Sequence, residues 1–305
     1  MGGAVHGRMG YNQNMARPAL SANRMMDILD LFGAFPGRSF TMSEIMRATD
    51  INVASCHAVL NALTSRGYLI RRDKSYYPGS ALISVGQAAA QTRTLVTRSQ
   101  AAAQALHKDL GVAVVLTALT GENILTLMSI PDAAGRRVSL RAGQRIPLVP
   151  PVGLQYLAWS SDGEVAAWIA RGSTKDEATI AEWHRALAAT RARGFLVTLQ
   201  SQATTDLVML MEKMATGTQP LDYKTQTSSL ISDYGWMLEH PEIIELNRSY
   251  GVAYIAAPIF DREGHAVLSL GLGGFAEQLS GEQIGFFADR LMEICLRVTL
   301  EDRVP

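Results

Sequence analysis

The chain has 305 residues, of which 48% are hydrophobic and 18% charged, and its formal net charge at pH 7 is zero. This length predicts about two globular domains, and neutrality excludes a protein that coats nucleic acid with positive charge. The two cysteines, Cys56 and Cys295, lie in apolar helical patterns, so we expect buried thiols and neither a disulfide nor a metal site. No apolar run reaches the ~20 residues that span a bilayer.

Charge is distributed unevenly along this neutral chain. Residues 1–86 contain nine lysines and arginines against five acidic residues, a balance of +4, so the remainder carries −4. This asymmetry predicts that a small N-terminal domain contacts the phosphates of nucleic acid, whereas a larger acidic domain does not. Residues 1–18 are glycine-rich and polar without the apolar stretch of a signal peptide, and they are predicted to form a disordered tail.

Three helices are predicted after this tail. Residues 21–35 carry Met25, Ile28, Leu29 and Phe32 at the i, i+3, i+4, i+7 spacing of one helix face. A capping box, Thr41-Met42-Ser43-Glu44, predicts the start of a second helix. A third helix begins near Val53 and ends before Gly67, and its buried face is predicted to hold Cys56, Val59, Leu60 and Leu63.

Two short β-prone segments follow, Tyr68–Arg72 and Tyr76–Tyr77, around the polar turn Asp73-Lys74-Ser75. Three helices and a hairpin in this order are typical of a winged helix-turn-helix, which we place at residues 19–80. Residues 81–110 are rich in alanine, glutamine and threonine and are predicted to form a linker helix. Its exposed apolar stripe predicts pairing with a second copy of the chain, as a homodimer or tetramer.

Residues 111–305 alternate β-rich runs with helical patterns. Strands are predicted at 112–120, 124–130, 138–146, 195–199, 252–260 and 266–272, and helices at 152–160, from the capping box at 174–177, and from 280 onward. The strands are joined by hairpin turns rather than long crossovers. We therefore predict an α+β domain with an antiparallel-rich sheet, which serves effector binding and oligomerisation.

Several segments in the same order resemble an IclR-type transcriptional regulator. In the N-terminal part these are Met25–Leu29, Ser43–Ile45, Leu60–Tyr68 and Tyr76–Gly79. In the C-terminal part they are Gly143–Leu148, Gly153, Arg193–Phe195 and, most specific of all, Gly251–Phe260. The resemblance implies a winged helix-turn-helix joined by a linker helix to a GAF-like effector-binding domain, with double-stranded operator DNA and a small organic effector as partners.

The chain departs from this pattern at both expected sites. The recognition helix of the family carries Ser-Thr and then an arginine three residues later, where this chain has Ala54, Ser55 and Ala58. A family cysteine before Ile-Ala-x-Pro is Tyr254 here, and Ser-x-Ser on the next strand is Ser269-Leu270-Gly271. One polar and one cationic DNA contact of the family are therefore missing, and the effector pocket gains an aromatic ring.

A DNA surface is predicted on the outward side of the third helix, because a helix fits the major groove. The candidate contacts are Asn52, Ser55, His57 and Asn61, with Arg71, Arg72 and Lys74 in the wing as phosphate or minor-groove contacts. Asn52 could instead cap the helix. His57 could equally be a solvated surface residue, and Asn61 could point away from DNA. The wing charges could also be solvated, although the two tyrosines beside them favour a contact.

By resemblance, the effector pocket would be lined by Val152, Gly153, Tyr156, Tyr254, Ser269 and Gly271. The turn from Pro150 to Gly153, ahead of a helix, would also suit an anion. Tyr254 predicts an aromatic or hydrophobic effector; ordinary core packing and a regulator that has lost its ligand are the alternatives. No HExxH, GxSxG, P-loop or CxxC pattern occurs, so we expect no enzyme, no cofactor and no metal, in a cytoplasmic protein.

Overall fold

The computed structural model describes residues 19–35, 37–92, 94–136, 138, 140–172, 174, 176–201 and 240–303. The predicted N-terminal tail and most of the segment from 201 to 249 lie outside these residues. No described helix has both the length and the apolar character needed to cross a membrane.

The N-terminal part folds as three helices and a three-stranded sheet. Its elements are α1 (Leu20–Ala34), β1 (Phe40–Thr41), α2 (Met42–Thr49), α3 (Val53–Ser65), β2 (Leu69–Arg72) and β3 (Ser75–Pro78). The strands pair in the order β1-β3-β2, so the predicted hairpin gains a third strand from the residues before α2. One apolar core unites the helices around Ile28, Ile45 and Leu60.

The predicted capping box at the start of α2 is confirmed. The Thr41 hydroxyl accepts a hydrogen bond from the Glu44 amide at 3.3 Å, and the Glu44 carboxylate accepts one from the Thr41 amide at 2.8 Å. The amide of Thr41 is the main reason that the pKa of Glu44 lies below its usual range. These reciprocal bonds fix where α2 begins.

The segment from 81 to 110, predicted as one linker helix, is helical in two described stretches on either side of residue 93, which lies outside the described residues. The two stretches are α4 (Ser80–Thr92) and α5 (Thr94–Leu110). The side chains of Ala102, Ala103 and Leu106 on α5 are buried in the core of the C-terminal domain. On α4, by contrast, Ile83 and Val85 are 64% and 53% exposed. The connection between the two cores therefore runs through α4, and α5 packs as part of the second core.

A six-stranded antiparallel sheet is the centre of the C-terminal domain, as the sequence predicted. Its strands lie in the order β6-β5-β4-β10-β9-β7. They are β4 (Ala113–Thr120), β5 (Asn123–Ile130), β6 (Arg145–Pro147), β7 (Leu196–Leu199), β9 (Val252–Phe260) and β10 (Ala266–Gly273). A separate short pair consists of β8 (Ser249–Tyr250) and β11 (Leu279–Ser280).

Helices cover both faces of this sheet. On one face α5 and the last helix, α9 (Gly281–Arg303), pack against Leu116, Leu270 and Ile255. On the other face lie α6 (Leu154–Leu157), α7 (Asp162–Ala170) and α8 (Glu177–Arg193). Their core with the sheet includes Trp168, Trp183 and Ala256. The α+β prediction is therefore confirmed.

Two elements are shorter than the sequence suggested. The strand predicted at 138–146 is reduced to β6, because the chain turns at Gly143, which has a φ of 86°. The helix predicted at 152–160 is reduced to the four residues of α6. It ends there because Ser161 and Glu164 form a capping box that starts α7, a helix that the sequence analysis missed.

Candidate functional site

The polar side of α3 faces solvent. Cys56, Val59, Leu60 and Leu63 are buried, as their spacing predicted. His57 and Asn61 are exposed one turn apart, and the Asn61 amide nitrogen lies 3.2 Å from Nδ1 of His57. The helix therefore presents a hydrogen-bonded polar pair on a surface that nothing in the described residues covers.

The first turn of α3 has a different arrangement of polar groups. The Asn52 side chain accepts a hydrogen bond from the Ser55 amide at 3.0 Å, so Asn52 caps the helix. The Ser55 hydroxyl accepts one from the Arg24 guanidinium of α1 at 2.8 Å. Sequence analysis did not find Arg24, because it precedes Ser55 by 31 residues and only the packing of α1 on α3 joins them.

Arginines of the hairpin lie over its tyrosines. The Arg71 guanidinium carbon is 5.8 Å from the Tyr76 ring centre, and that of Arg72 is 5.6 Å from the Tyr77 ring centre. The Arg71 Nε also donates to the Asp73 carbonyl at 3.1 Å. Both arginines remain exposed, as does Lys74 at the tip of the turn. The wing is therefore a basic surface on which the two tyrosine rings hold the two arginine side chains in place.

A second candidate site lies on the face of the large sheet that α6 covers. The Tyr156 phenol of α6, only 1% exposed, shares a hydrogen bond of 2.7 Å with the Thr117 hydroxyl of β4. On the neighbouring strand β10, Ser269 lies directly opposite Thr117. Its buried hydroxyl donates a hydrogen bond to the Ala257 carbonyl of β9 at 3.0 Å, so this hydroxyl is already paired with the sheet backbone.

Tyr254 on β9 lies across Gly271 on β10. A Cβ added at Gly271 would be 2.2 Å from the Tyr254 hydroxyl, so the ring occupies the space above this glycine. Burial raises the pKa of the phenols of both Tyr254 and Tyr156, and the nearby Tyr254 phenol adds to the effect on Tyr156. Both groups are therefore neutral hydrogen-bonding groups at physiological pH.

Two more hydroxyl groups occupy this sheet face without partners. Thr126 is paired in register with Thr117, and Ser129 with Val115, which in turn lies opposite Gly271. Directly opposite residues of antiparallel strands share a face. The side-chain oxygens of Thr126 and Ser129 are buried and have no hydrogen-bond partner within the described chain. Such groups are uncommon in native proteins and indicate water or a ligand.

The turn that leads into α6 contains the remaining predicted pocket residues. The Val152 carbonyl accepts a hydrogen bond from Trp168 Nε1 at 3.0 Å, which fixes the turn against α7. Gly153 has a φ of 104°, and a Cβ there would come within 2.3 Å of the Leu148 side chain. Only glycine fits this position. With four residues, α6 is too short to offer the helix N-terminus that the sequence analysis proposed for an anion.

The described residues contain no group of three His, Cys, Asp or Glu side chains that could hold a metal ion. Both cysteines are free and buried. Burial raises the pKa of the Cys295 thiol to about 12, so it is a neutral packing group.

These features define a class of protein. A winged helix-turn-helix with an exposed polar helix face and a basic wing is joined by helices to an α+β domain with a buried polar patch. This is the architecture of a DNA-binding transcriptional regulator with a sensor domain. Comparisons with known proteins agree with this class and narrow it further.

The family model for the IclR helix-turn-helix domain matches residues 21–73. The HTH-type transcriptional regulator KipR of Bacillus subtilis (strain 168) is 20% identical over 278 residues, which are 90% of this chain and 94% of that protein. The N-terminal domain therefore matches the IclR helix-turn-helix model, and the chain is similar to an HTH-type transcriptional regulator over most of its length.

Solved structures share the fold over most of the chain. A regulator of this family from Alicyclobacillus acidocaldarius superposes with a TM-score of 0.67 at 18% identity, covering 94% of this chain and 100% of that one. An IclR homolog from Microbacterium hydrocarbonoxydans, complexed with 4-hydroxybenzoate, has a TM-score of 0.60 at 14% identity and covers 93% and 100%. At these identities the likeness concerns the fold.

Proposed function

We propose that residues 19–80 bind operator DNA with α3 in the major groove and the wing against the phosphate backbone. The observation that carries this placement is the exposed polar face of α3 beside a basic hairpin. Ser55, His57 and Asn61 would read base edges, while Arg71, Arg72 and Lys74 would contact phosphates. Asn52, which caps α3, would contribute by fixing the first turn of the helix.

The buried polar patch of the large sheet would bind a small organic effector with an aromatic or apolar body. Two neutral phenols and the unpartnered hydroxyls of Thr126 and Ser129 offer hydrogen bonds without a fixed charge. Gly271 would form the floor of this effector pocket, and Val152 and Gly153 belong to the turn beside it. The 4-hydroxybenzoate in the Microbacterium relative shares the aromatic ring and the phenol hydroxyl with this chemistry, and its carboxylate adds a negative charge.

Effector binding would alter operator affinity through residues 81–110, which connect the two domains. Residues 111–305 would bind the effector and contribute to self-association. The exposed Ile83 and Val85 on α4 would pair with a second copy of the chain, giving a homodimer or tetramer. Two half-sites bound by linked domains would raise affinity above that of one domain. We assign no catalytic role to any residue and place the protein in the cytoplasm.

Selection of bound duplexes from a random-sequence pool tests the DNA-binding part. We expect enrichment of a sequence with two related half-sites. Absence of enrichment at moderate salt would remove the proposal. Thermal melting and DNA release in the presence of 4-hydroxybenzoate and other monocyclic aromatic compounds then test the effector part, since a ligand of the folded state raises the melting temperature.

A specific observation favours a second function. The Tyr254 ring already occupies the space over Gly271, as a side chain would in a pocket that no longer accepts a ligand. The chain would then regulate transcription through DNA and protein contacts alone. A Tyr254→Ala variant separates the two, because a functional pocket loses affinity for its ligand, whereas a filled pocket first gains the ability to bind aromatic compounds.

A further inference from the structure

Arg24 reaches the recognition helix from α1. Its guanidinium donates to the Ser55 hydroxyl at 2.8 Å, and Ser55 is in the first turn of α3. The N-terminal residues of a recognition helix are those that enter the major groove. The contact therefore places a cation beside the end of α3 that approaches DNA.

The charge of Arg24 is not neutralised within the described chain. Arg24 forms no ion pair with any described carboxylate, and the bond to Ser55 uses one of five N–H donors. Elsewhere in this domain, Arg38 is paired with Glu44 at 3.3 Å. A half-buried arginine that is anchored by a hydroxyl and retains most of its donors is suited to bind an anion beside α3.

We propose that Arg24 supplies the recognition surface with a cationic DNA contact, because α3 (Val53–Ser65) contains no lysine or arginine of its own. It binds a backbone phosphate at the edge of the groove, with Ser55 holding the guanidinium in place. Arg24 belongs to α1 and reaches α3 only at Ser55, so it is placed to meet a strand that flanks the groove and not the base edges. This inference rests on the proposed DNA-binding function.

The test compares Arg24→Ala with the unchanged chain on the duplex selected above and on a duplex of unrelated sequence, over a range of salt concentrations. Loss of one phosphate contact lowers the slope of log affinity against log salt by about 1 for each bound chain. We expect affinity for both duplexes to fall, on the order of tenfold at low salt. Arg24→Lys keeps the charge and is expected to retain the salt slope.

Arg297→Ala is the matched control, because it removes one exposed arginine from α9, outside the DNA-binding domain. Melting temperatures of all variants establish that they are folded. Equal affinity and salt slope for Arg24→Ala and the unchanged chain would overturn the inference, as would a changed base preference with an unchanged slope. Failure of the unchanged chain to bind any duplex at low salt would instead reject the proposed function.

Discussion

Asp30 and Arg145 join the two domains of this regulator. The Asp30 carboxylate on α1 lies 2.9 Å from the Arg145 guanidinium on β6, and both side chains are 28% exposed. One turn further along α1, a Cβ at Gly33 would be 3.8 Å from the Gly143 carbonyl oxygen. Since β6 leads directly into the turn that contains Val152 and Gly153, this pair connects the first helix of the DNA-binding domain to the border of the proposed effector pocket.

A double-mutant cycle measures this connection. We expect Asp30→Ala and Arg145→Ala to show a coupling energy of about 0.5 kcal/mol in unfolding by denaturant, because partly exposed ion pairs are weak. The exchanged pair, Asp30→Arg with Arg145→Asp, should recover part of the loss. Strictly additive effects would show that the pair makes no contribution in solution.

Gly271→Ala should destabilise the sensor domain. The added methyl group meets the Tyr254 ring, and a forced shift in a packed region costs about 1–3 kcal/mol. In a Tyr254→Ala background the cost should fall, because the ring that obstructs the methyl group is gone. Thermal or denaturant unfolding of the four proteins provides the comparison.

The control for this substitution is Gly285→Ala in α9, where an added Cβ meets nothing within 4 Å. We expect it to stabilise by about 0.5–1 kcal/mol, since alanine is the better helix former. A Gly271→Ala protein as stable as the unchanged chain would show that Tyr254 swings away freely and does not occupy the pocket.

Arg71 and Ser55 should affect DNA binding in different ways. Arg71→Ala removes a wing cation and is expected to weaken binding to all duplexes. Ser55→Ala changes the surface of α3 and is expected to alter the preferred sequence. Because Ser55 also holds Arg24, a smaller loss of affinity for all duplexes is expected as well. Competition between selected and unrelated duplexes measures both effects, with Arg297→Ala as the charge control. Unchanged binding for both variants would contradict the placement of helix and wing.

His240 should make the protein sensitive to mild acid. Burial, with a smaller effect of the nearby Arg193 charge, lowers the pKa of His240 from 6.5 to about 4. The unfolded chain therefore binds a proton at this histidine more readily than the folded chain does. The contribution of neutral His240 to the free energy of unfolding is fully present above pH 6.5. It is lost as the pH falls from 6.5 towards 4 and amounts to about 3 kcal/mol.

Stability of the unchanged chain and of His240→Asn, measured between pH 7 and 4, tests this dependence. The Asn amide can replace Nδ1 as the donor to the Val197 carbonyl, but the variant loses the packing of the buried ring, so it is expected to be less stable at pH 7. Its free energy of unfolding should nevertheless change less with pH below pH 6.5. Parallel curves for the two proteins would contradict a buried neutral histidine.

Local sequence patterns predicted the elements whose cause is local. The spacing of Ile28 and Phe32, the Thr41–Glu44 capping box and the buried face of α3 are all present in the fold. The same reasoning overestimated β6 and α6. In both cases a competing local signal shortened the element: the left-handed Gly143 delays the start of β6, and the cap at Ser161 ends α6 early.

What the sequence by itself determined is the order of elements and the helix face that remains polar, because periodicity and caps act over a few residues. Only the tertiary structure decided which distant groups meet: Arg24 with Ser55, Thr117 with Tyr156, and Tyr254 over Gly271. These contacts depend on how helices pack and how strands pair across long separations. No repeating pattern in the chain encodes that geometry, and the candidate sites are built from it.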